Sequence, residues 1–551
     1  MASWQTGRVP ARTDLPHVVI VGGGIAGLAA AFFLRGTGAA VTVLEGSPRL
    51  GGKLAASEVA GIAVDAGAEA LLARRPEGTD LVRAVGLAGQ LAQPGTTTAG
   101  IWTRGRLRPL PRRQLMGVPA DLDTLASSGI LSASGLASAR EDARRPATTR
   151  AGDVSVASYV GARFGAELVD RLVDPLLGGV YAGRSEQLSF EATLPGLAAA
   201  SRRHASLSAA AAAVLDAAGP DPAVPDPAVP DPAGPDPARP GPAGPDPAGP
   251  GPAASQPLFV TLTGGLATLV PAVAAASGAT IRTGAMVRGL ARTPAGGWRL
   301  TVGSAHAPEQ LDADAVVLAL PPTPASRLLA GVAGASAAAA GLGEISTASM
   351  AIATLAYPDA AFPAPPQGSG YLVPAVDGHA VKAVTFSTVK WPHLRAGREP
   401  VHLVRCSVGR LGEEALLQRD DGELAAFAAA DLAAATGVRG SPVDTRVSRW
   451  GGGLPQYTVG HLDRVARIRA SVAAQPGLAV CGASYDGIGI PACIASARAA
   501  ADQVIARLAG RARTATSSSA WASEPASAAQ APGPSLAAQV PGPSSAEADV
   551  P

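Results

Sequence analysis

The chain has 551 residues, and its 45 lysines and arginines nearly balance its 43 aspartates and glutamates, which leaves a formal net charge of +2. This length exceeds one compact core, so we expect several domains, some built from non-contiguous segments, and the charge balance argues against an extended nucleic-acid surface. Cys406, Cys481 and Cys493 have no CxxC spacing and no neighbouring histidine. They indicate neither a metal site nor a disulfide framework and favour a reducing cytoplasm.

The N-terminal stretch MASWQTGRVPARTDLP lacks the apolar segment of a signal peptide. The longest apolar run, from Val18 to Leu34, is interrupted by four glycines and predicts a strand, a turn and a helix rather than a membrane span. We therefore expect a cytoplasmic protein without a transmembrane segment. Peripheral contact with a membrane stays open.

The first motif lies in HVVIVGGGIAGLAAAFFL, where Gly22, Gly24 and Gly27 form GxGxxG between a predicted strand and a helix. The first glycine permits the turn, the second lets the backbone approach a pyrophosphate, and the third lets helix and strand pack. The next strand ends at Glu45, whose carboxylate suits ribose hydroxyls and disfavours the 2′-phosphate of NADP. The predicted dinucleotide site also includes Ile25, Ala26 and Gly46.

A second glycine pair follows in the stretch RLGGK, and GIAVDAGAEALL comes after it. This RxGG[KR] extension resembles the monoamine oxidase and protoporphyrinogen oxidase superfamily of flavoproteins, in which the twin-glycine turn lies along FAD. The resemblance implies that the cofactor is FAD. It implies contacts from Arg49, Gly51, Gly52, Lys53, Gly67, Ala68 and Glu69.

A helix-rich stretch is predicted from about Ser155 to Ala218, and a five-residue unit then repeats, as in PDPAVPDPAV. The prolines remove amide donors and favour an extended conformation, so we expect a disordered insert over residues 219–257. A β-unit near 279–320 and further strands up to Val408 follow. The Ser-, Ala- and Pro-rich residues 512–551 predict a disordered tail.

The stretch DGIGIPACIASARAA, residues 486–500, predicts a second glycine-rich entry to a helix, after a strand that ends at Gly482. A flavin needs contacts at both ends, and amides at this helix start can face its pyrimidine edge, where negative charge develops on reduction. We predict that the two glycine clusters are opposite ends of one site. The resemblance to these flavoproteins implies that Gly482, Ile488, Gly489, Ile490 and Pro491 line the flavin at this end.

The C-terminal stretch GASYDGIGIPACIASARAAA resembles the signature of protoporphyrinogen and coproporphyrinogen III oxidases. Further stretches match that family in order, namely LVDPLLGGVYAGRSEQLS, LTGGLATLVPAV, GSGYLVP, STVKWPH and RWGGGLPQYTVGH. The resemblance covers most of residues 17–508 outside the insert. It places Val287 and Trp450 beside FAD, and Tyr371 and Leu372 are candidates to face the substrate.

The implied fold class is α/β and α+β, with three parts. A Rossmann-type FAD-binding domain is expected from residues 14–75, 258–320 and 468–511. A mixed-sheet substrate-binding domain is expected from residues 76–111 and 321–467, and a helical subdomain from residues 112–218.

The implied activity is the FAD-dependent, six-electron oxidation of a porphyrinogen in haem biosynthesis, with oxygen as acceptor and hydrogen peroxide as product. The abundance of Ala, Gly and Pro, typical of proteins from high-GC genomes, and the lack of a membrane segment favour the bacterial, Gram-positive type of the family. The resemblance implies that this type acts on coproporphyrinogen III, which makes coproporphyrin ferrochelatase a candidate partner. Protoporphyrinogen IX is the alternative substrate. The other readings are an FAD amine oxidase, a carotenoid desaturase and a non-enzymatic flavin- or porphyrin-binding protein.

No catalytic acid or base is assigned, because the cofactor performs the redox step in this scheme. Carboxylate recognition is also unassigned, because Gly100 stands near the position where eukaryotic members carry an arginine. The arginines that follow, from Arg104 to Arg113, form a basic run typical of a solvated face.

Overall fold

The structure, a computed structural model, describes residues 15–147, 150, 152–217, 258–395 and 400–521, with side chains up to residue 510. The predicted insert, 219–257, and residues 522–551 of the predicted tail lie outside this part of the chain. The strands are β1 (His17–Val21), β2 (Ala40–Leu44), β3 (Ala56–Val59), β4 (Ile62–Asp65), β5 (Leu71–Leu72), β6 (Leu91–Ala92), β7 (Gly100–Thr103), β8 (Arg106–Pro109), β9 (Gln114–Leu115), β10 (Val118–Pro119), β11 (Phe259–Leu262), β12 (Thr280–Arg282), β13 (Val287–Arg292), β14 (Trp298–Gly303), β15 (Pro308–Ala313), β16 (Ala315–Leu318), β17 (Thr347–Pro358), β18 (Gly370–Leu372), β19 (Val381–Phe386), β20 (Val401–Val408), β21 (Asp444–Pro455) and β22 (Leu478–Val480).

The helices are α1 (Ile25–Leu34), α2 (Pro76–Ala84), α3 (Leu122–Ser128), α4 (Ala133–Arg140), α5 (Val156–Phe164), α6 (Ala166–Leu168), α7 (Asp174–Tyr181), α8 (Phe190–Thr193), α9 (Pro195–Ser201), α10 (Leu207–Ala217), α11 (Leu269–Ser277), α12 (Pro322–Ala330), α13 (Ser336–Gly343), α14 (Ser387–Lys390), α15 (Asp421–Thr436), α16 (His461–Ala473) and α17 (Ile490–Trp521). In the described residues, no helix combines the length and the apolar character needed to cross a bilayer.

A five-stranded parallel sheet carries the dinucleotide-binding motif, with strand order β12-β2-β1-β16-β22. Val18, Val19 and Ile20 are fully buried, because a parallel sheet is covered on both faces. Helices α1 and α11 pack against each other beside this sheet. One hydrophobic core joins the sheet to α12, α13 and α16 and contains Trp298 and Leu300 from the three-stranded antiparallel sheet β13-β14-β15.

A seven-stranded mixed sheet has the order β21-β17-β20-β19-β18-β7-β8. Only the pair β18 and β7 runs parallel among its neighbours. Helix α15 buries Leu424, Ala428 and Leu432 in the core on one face. Residues of β7 and β18 that belong to the other face, Ile101 and Leu372, pack with the helical core.

Helices α3 to α10 bury a core of their own, which includes Phe164, Leu172 and Phe190 at 0% exposure. The fold class is therefore as the sequence predicts, with a Rossmann-type sheet, a mixed sheet and a helical part. The exact domain boundaries stay predictions.

Helix α17 differs from the expectation in one respect. Its backbone continues to Trp521, although the sequence predicts a disordered tail from residue 512. The reason lies in the residues after Leu508, which include alanines and arginines with good helix propensity and no proline before Pro525. Serine and alanine content alone was therefore a poor guide to where the helix ends.

A buried ion pair holds the helical part together. The Arg163 Nε donates to Asp142 Oδ1 over 2.6 Å, and the two side chains are 3% and 0% exposed. The guanidinium also donates to the carbonyl oxygens of Pro146 and Ala205. Asp142 accepts in addition from the backbone amide of Leu207 at the start of α10. The pair thus ties α5 to the loop that precedes α10.

We expect Arg163→Ala to lower the apparent free energy of unfolding by about 3–5 kcal/mol, because it leaves the Asp142 carboxylate buried without its countercharge. Urea unfolding followed by far-UV circular dichroism measures this loss. Arg144→Ala is the control, because its pair with Glu141 is largely exposed and contributes little. Equal stability of the two variants would contradict this role for Arg163.

Candidate active site

The turn between β1 and α1 is shaped by backbone contacts that exclude side chains. A Cβ at Gly22 would lie 2.4 Å from the carbonyl oxygen of Ala319, and one at Gly27 would lie 1.8 Å from that of Gly22. Gly22 also has a φ of 110°, which favours glycine. These two positions therefore bring strand and helix together, as the motif predicts.

Gly24 has a different environment. A Cβ there would meet no protein atom within 4 Å, and its φ of −74° is ordinary. Gly24 is the N-cap of α1, and among the described residues no side chain caps this helix. The first-turn amides and the positive end of the helix dipole therefore face open space beside a bare backbone. An anionic group such as a pyrophosphate is accommodated there.

Glu45 lies at the end of β2, next to this turn. Its Oε2 accepts a hydrogen bond from the Gly23 amide over 2.7 Å, and its Oε1 accepts one from the Ser47 amide over 2.8 Å. The Ala285 amide donates to the carbonyl oxygen of Glu45 over 2.8 Å, which brings the start of β13 and Val287 to the same edge. The Met286 side chain also covers Gly46.

The twin-glycine turn lies directly against the first turn. Gly24 and Gly51 form an isolated parallel bridge, and the Gly51 amide donates to the carbonyl oxygen of Gly23 over 2.8 Å. A Cβ at Gly52 would lie 3.4 Å from the Gly24 Cα. The Arg49 Nη2 donates to the carbonyl oxygen of Gly52 over 2.8 Å and closes the turn.

The C-terminal glycine cluster reaches the same place. A Cβ at Gly482 would lie 3.9 Å from the Ala26 Cβ, and one at Gly78 would lie 3.2 Å from the Pro491 Cγ. Lys53 follows the twin-glycine turn and lies near Cys493 in the first turn of α17. Desolvation by the surrounding protein lowers the pKa of Lys53, and burial raises the pKa of the Cys493 thiol to about 11, so this thiol is uncharged at physiological pH.

Gly67 connects the site to the seven-stranded sheet. A Cβ at Gly67 would lie 3.0 Å from the Trp450 ring, whose Nε1 donates to the carbonyl oxygen of Ala66 over 3.1 Å. The Arg405 Nη2 in β20 donates to the carbonyl oxygen of Gly67 over 2.6 Å.

Glu69, two residues further on, pairs with two cations. It contacts Lys390 Nζ at 2.9 Å and also Arg405. Burial opposes ionisation of Glu69, but the two cations outweigh it and hold its pKa at about 2. Asp65 behaves in the opposite way, since burial raises its pKa to about 6 although it accepts hydrogen bonds from the amides of Leu266 and Ala267.

Comparison with known proteins identifies the family. The chain matches the family described as flavin containing amine oxidoreductase over residues 25–505. It is 38% identical over 494 residues to the coproporphyrinogen III oxidase of Mycobacterium tuberculosis (strain H37Rv), covering 89% of this chain and 97% of that protein. The chain belongs to the coproporphyrinogen III oxidase family. It is also 31% identical to the Bacillus subtilis (strain 168) member, with coverage of 89% and 98%.

A solved structure has the same architecture. It comes from Exiguobacterium sp. 255-15, is provisionally described as a protoporphyrinogen oxidase, and shares 29% identity with a TM-score of 0.74 over 90% of this chain and 99% of the other. Membership of the family makes the chain a flavin-dependent oxidoreductase, and its cofactor is FAD.

The residues present fit FAD. Gly24 and Gly52 offer a bare double turn, the start of α1 offers amides, and Glu45 offers a carboxylate at the end of β2. The other residues predicted to contact FAD lie near these elements. They include Arg49, Lys53, Gly67, Trp450 and the residues at the start of α17. The separate contacts of each residue with FAD stay predictions.

Of the two candidate substrate residues, only Leu372 faces the helical core. Tyr371 is 3% exposed and lies in the core of the other face, against Trp102 and Phe386. Neighbouring residues of a strand point to opposite faces, so the two side chains cannot share one cavity. Their assignment to the substrate stays a prediction, and at most one of the two side chains can fulfil it. Leu372 and Ile488 each pack against the helical core.

Sequence reasoning missed Lys390 and Arg405. Lys390 lies in the quoted stretch STVKWPH, but nothing in the sequence indicates that it meets Glu69, which is 321 residues away. Arg405 lies within an apolar strand, where a buried arginine needs a partner. That requirement is the one signal that would have singled it out.

Gly24→Val is expected to leave the protein folded and to weaken FAD binding about 100-fold, or about 2.7 kcal/mol. The Cβ that the substitution adds meets no protein atom within 4 Å, and the side chain occupies the space over the turn. Fluorescence titration of apoprotein with FAD, together with circular dichroism, measures both effects. Gly89→Val is the matched control, since its Cβ also meets no atom and it lies outside the predicted site. Undiminished affinity in Gly24→Val would contradict this placement of FAD.

Glu69→Gln is expected to destabilise the protein by about 3 kcal/mol at pH 7, the free energy equivalent of a pKa shift from 4.5 to about 2. A carboxyl with a depressed folded-state pKa stabilises the fold above its unfolded pKa, and this contribution is lost as the pH falls from about 4.5 to about 2. The difference between variant and parent should therefore shrink to about half at pH 3 in urea titrations. Asp80→Asn, which breaks an exposed pair with Arg83, serves as the control. A deficit that stays constant with pH would contradict the ionic role of Glu69.

Proposed function

We propose that the protein oxidises coproporphyrinogen III to coproporphyrin III, with oxygen as the final acceptor and hydrogen peroxide as the product. The observation that carries this proposal is the full-length match to relatives named coproporphyrinogen III oxidase. The glycine turns support this proposal, because they lie close together and offer bare backbone for the two ends of a flavin cofactor. FAD, when bound, supplies a two-electron acceptor, so a six-electron oxidation requires three turnovers.

The chain's own residues bind and orient the reactants. With FAD bound, the amides at the start of α1 would hold its pyrophosphate, and the Glu45 carboxylate would accept hydrogen bonds from a ribose. The amides before and at the start of α17 would hold the ring end and stabilise negative charge there. No side chain of this site is needed as an acid or base for the hydride step.

We place the macrocycle at the junction of the mixed sheet, the helical core and the C-terminal glycine cluster. Leu372 and Ile488 both pack against the helical core, and a Cβ at Gly179 would lie 3.2 Å from the Leu372 Cδ2. This junction is apolar and lies next to the proposed position of the flavin. Apolar surroundings of this kind would suit a large, flat macrocycle and would exclude water from the reaction.

Protoporphyrinogen IX is the second candidate substrate, because the Exiguobacterium protein is provisionally described as a protoporphyrinogen oxidase. We favour coproporphyrinogen III because the relatives at 38% and 31% identity are named coproporphyrinogen III oxidases. We further propose a cytoplasmic location and a coproporphyrin ferrochelatase as the partner that takes the product.

Coproporphyrinogen III and protoporphyrinogen IX, each prepared anaerobically, are mixed separately with the FAD-loaded protein, and porphyrin fluorescence and oxygen uptake are followed. We expect kcat/KM to be about tenfold higher for coproporphyrinogen III, a difference of about 1.4 kcal/mol. The Gly24→Val protein without FAD and a protein-free sample give the background rate. Oxidation of neither substrate above this background would overturn the proposal, and equal rates would overturn its substrate preference.

A further inference from the structure

Tyr457 holds the loop that leads into α17. Its hydroxyl accepts a hydrogen bond from the Gly487 amide over 2.7 Å and donates one to the carbonyl oxygen of Ala483 over 2.7 Å. The two partners lie on either side of the bend in the loop between β22 and α17. The Tyr457 side chain therefore bridges the two sides of this bend, although it is 30 residues away from Gly487 in the sequence.

The loop needs such a tie because its backbone is irregular. Gly482 and Gly487 have φ values of 120° and 139°, and no regular hydrogen-bond ladder continues through the bend. The Gly482 amide donates to Ser496 Oγ over 3.1 Å, which secures the beginning of the loop. The Tyr457 hydroxyl secures the part that approaches the helix start.

The Tyr457 ring is itself held in place. His461 stacks on it with ring centroids 3.8 Å apart and planes 14° apart, and Tyr181 lies 5.7 Å away at an angle. Burial lowers the pKa of His461 to about 4, so the stacked imidazole is neutral at physiological pH. Burial raises the pKa of Tyr457, so its hydroxyl keeps the proton that it donates.

We propose that Tyr457 is a positioning residue that fixes the backbone of Gly487 to Gly489 against the flavin ring and thereby raises the electron affinity of FAD. This inference rests on the placement of that backbone beside the flavin under the proposed function. Amides and a helix dipole act within a few ångströms, so a loop that recedes stabilises a negatively charged ring less. Tyr457 acts through the loop and does not touch the reacting atoms.

The test compares Tyr457→Phe with Tyr485→Phe, both as FAD-loaded full-length protein. Each change deletes one buried hydroxyl and keeps the ring. Tyr485 lies in the same loop, but its hydroxyl has no hydrogen-bond partner among the described residues. The readout is the dissociation constant of sulfite, which adds to N5 of oxidised flavin and leaves negative charge on the ring. No porphyrinogen is involved, so a failure of the substrate assignment does not affect the result.

Tyr457→Phe is expected to raise the sulfite dissociation constant about tenfold and to change the visible flavin spectrum, whereas Tyr485→Phe leaves both as in the parent. Equal sulfite affinity in the parent and Tyr457→Phe, or an equal change in the control, would overturn the proposal. If Tyr457→Phe yields no folded holoprotein, His461→Gln is measured instead. That variant removes the stacked ring and keeps the hydroxyl, and it should shift sulfite affinity in the same direction. An unchanged constant there would also overturn the proposal.

Discussion

The close approach of three glycine turns is the constraint on which the rest of the molecule depends. Gly51 donates to the Gly23 carbonyl, Gly22 leaves no room for a Cβ beside Ala319, and Gly482 lies against Ala26. Backbone meets backbone at the first two of these points, so the strands and helices behind those turns have little freedom of position. The parallel sheet and its covering core follow from this arrangement, since β1, β16 and β22 must end at one edge.

Charge connects this edge to the mixed sheet. Arg405 of β20 contacts both Glu69 and the carbonyl oxygen of Gly67, and Lys390 contacts Glu69 from the short helix α14, which follows β19 of the same sheet. Buried charges are tolerated only when paired, so this cluster permits one relative placement of the two layers. Trp450 adds a packed ring at Gly67. The segment that is predicted to lie along the flavin is thus held by both layers at once.

Turns and helix starts that depend on a few neighbouring residues were predicted from the sequence. Contacts between residues far apart in the sequence were not. The GxGxxG turn, the twin glycines and the second helix entry each have a backbone requirement that is visible in a few residues, and the structure brings them together. The sequence could not tell which of Tyr371 and Leu372 faces the helical core, because a three-residue strand gives too little alternation to assign its two faces. The partners of Glu69 lie more than 300 residues away, and no local pattern connects them. The hydrogen bonds of Tyr457 were invisible for the same reason, although its stretch was recognised.

The order of these parts along the chain explains why a long proline-rich stretch is tolerated. It follows α10 and precedes β11, so it joins two elements and lies within none of the glycine turns. The entropic cost of a connection grows slowly, by about 0.6 kcal/mol for each doubling of its length. A cofactor that contacts segments on both sides of this connection stabilises only the assembled state, by mass action. Under the proposed placement of FAD, its binding and the joining of the N-terminal and C-terminal turns are one equilibrium, and a side chain at Gly24 or Gly51 would disturb this equilibrium far more than a longer connection would.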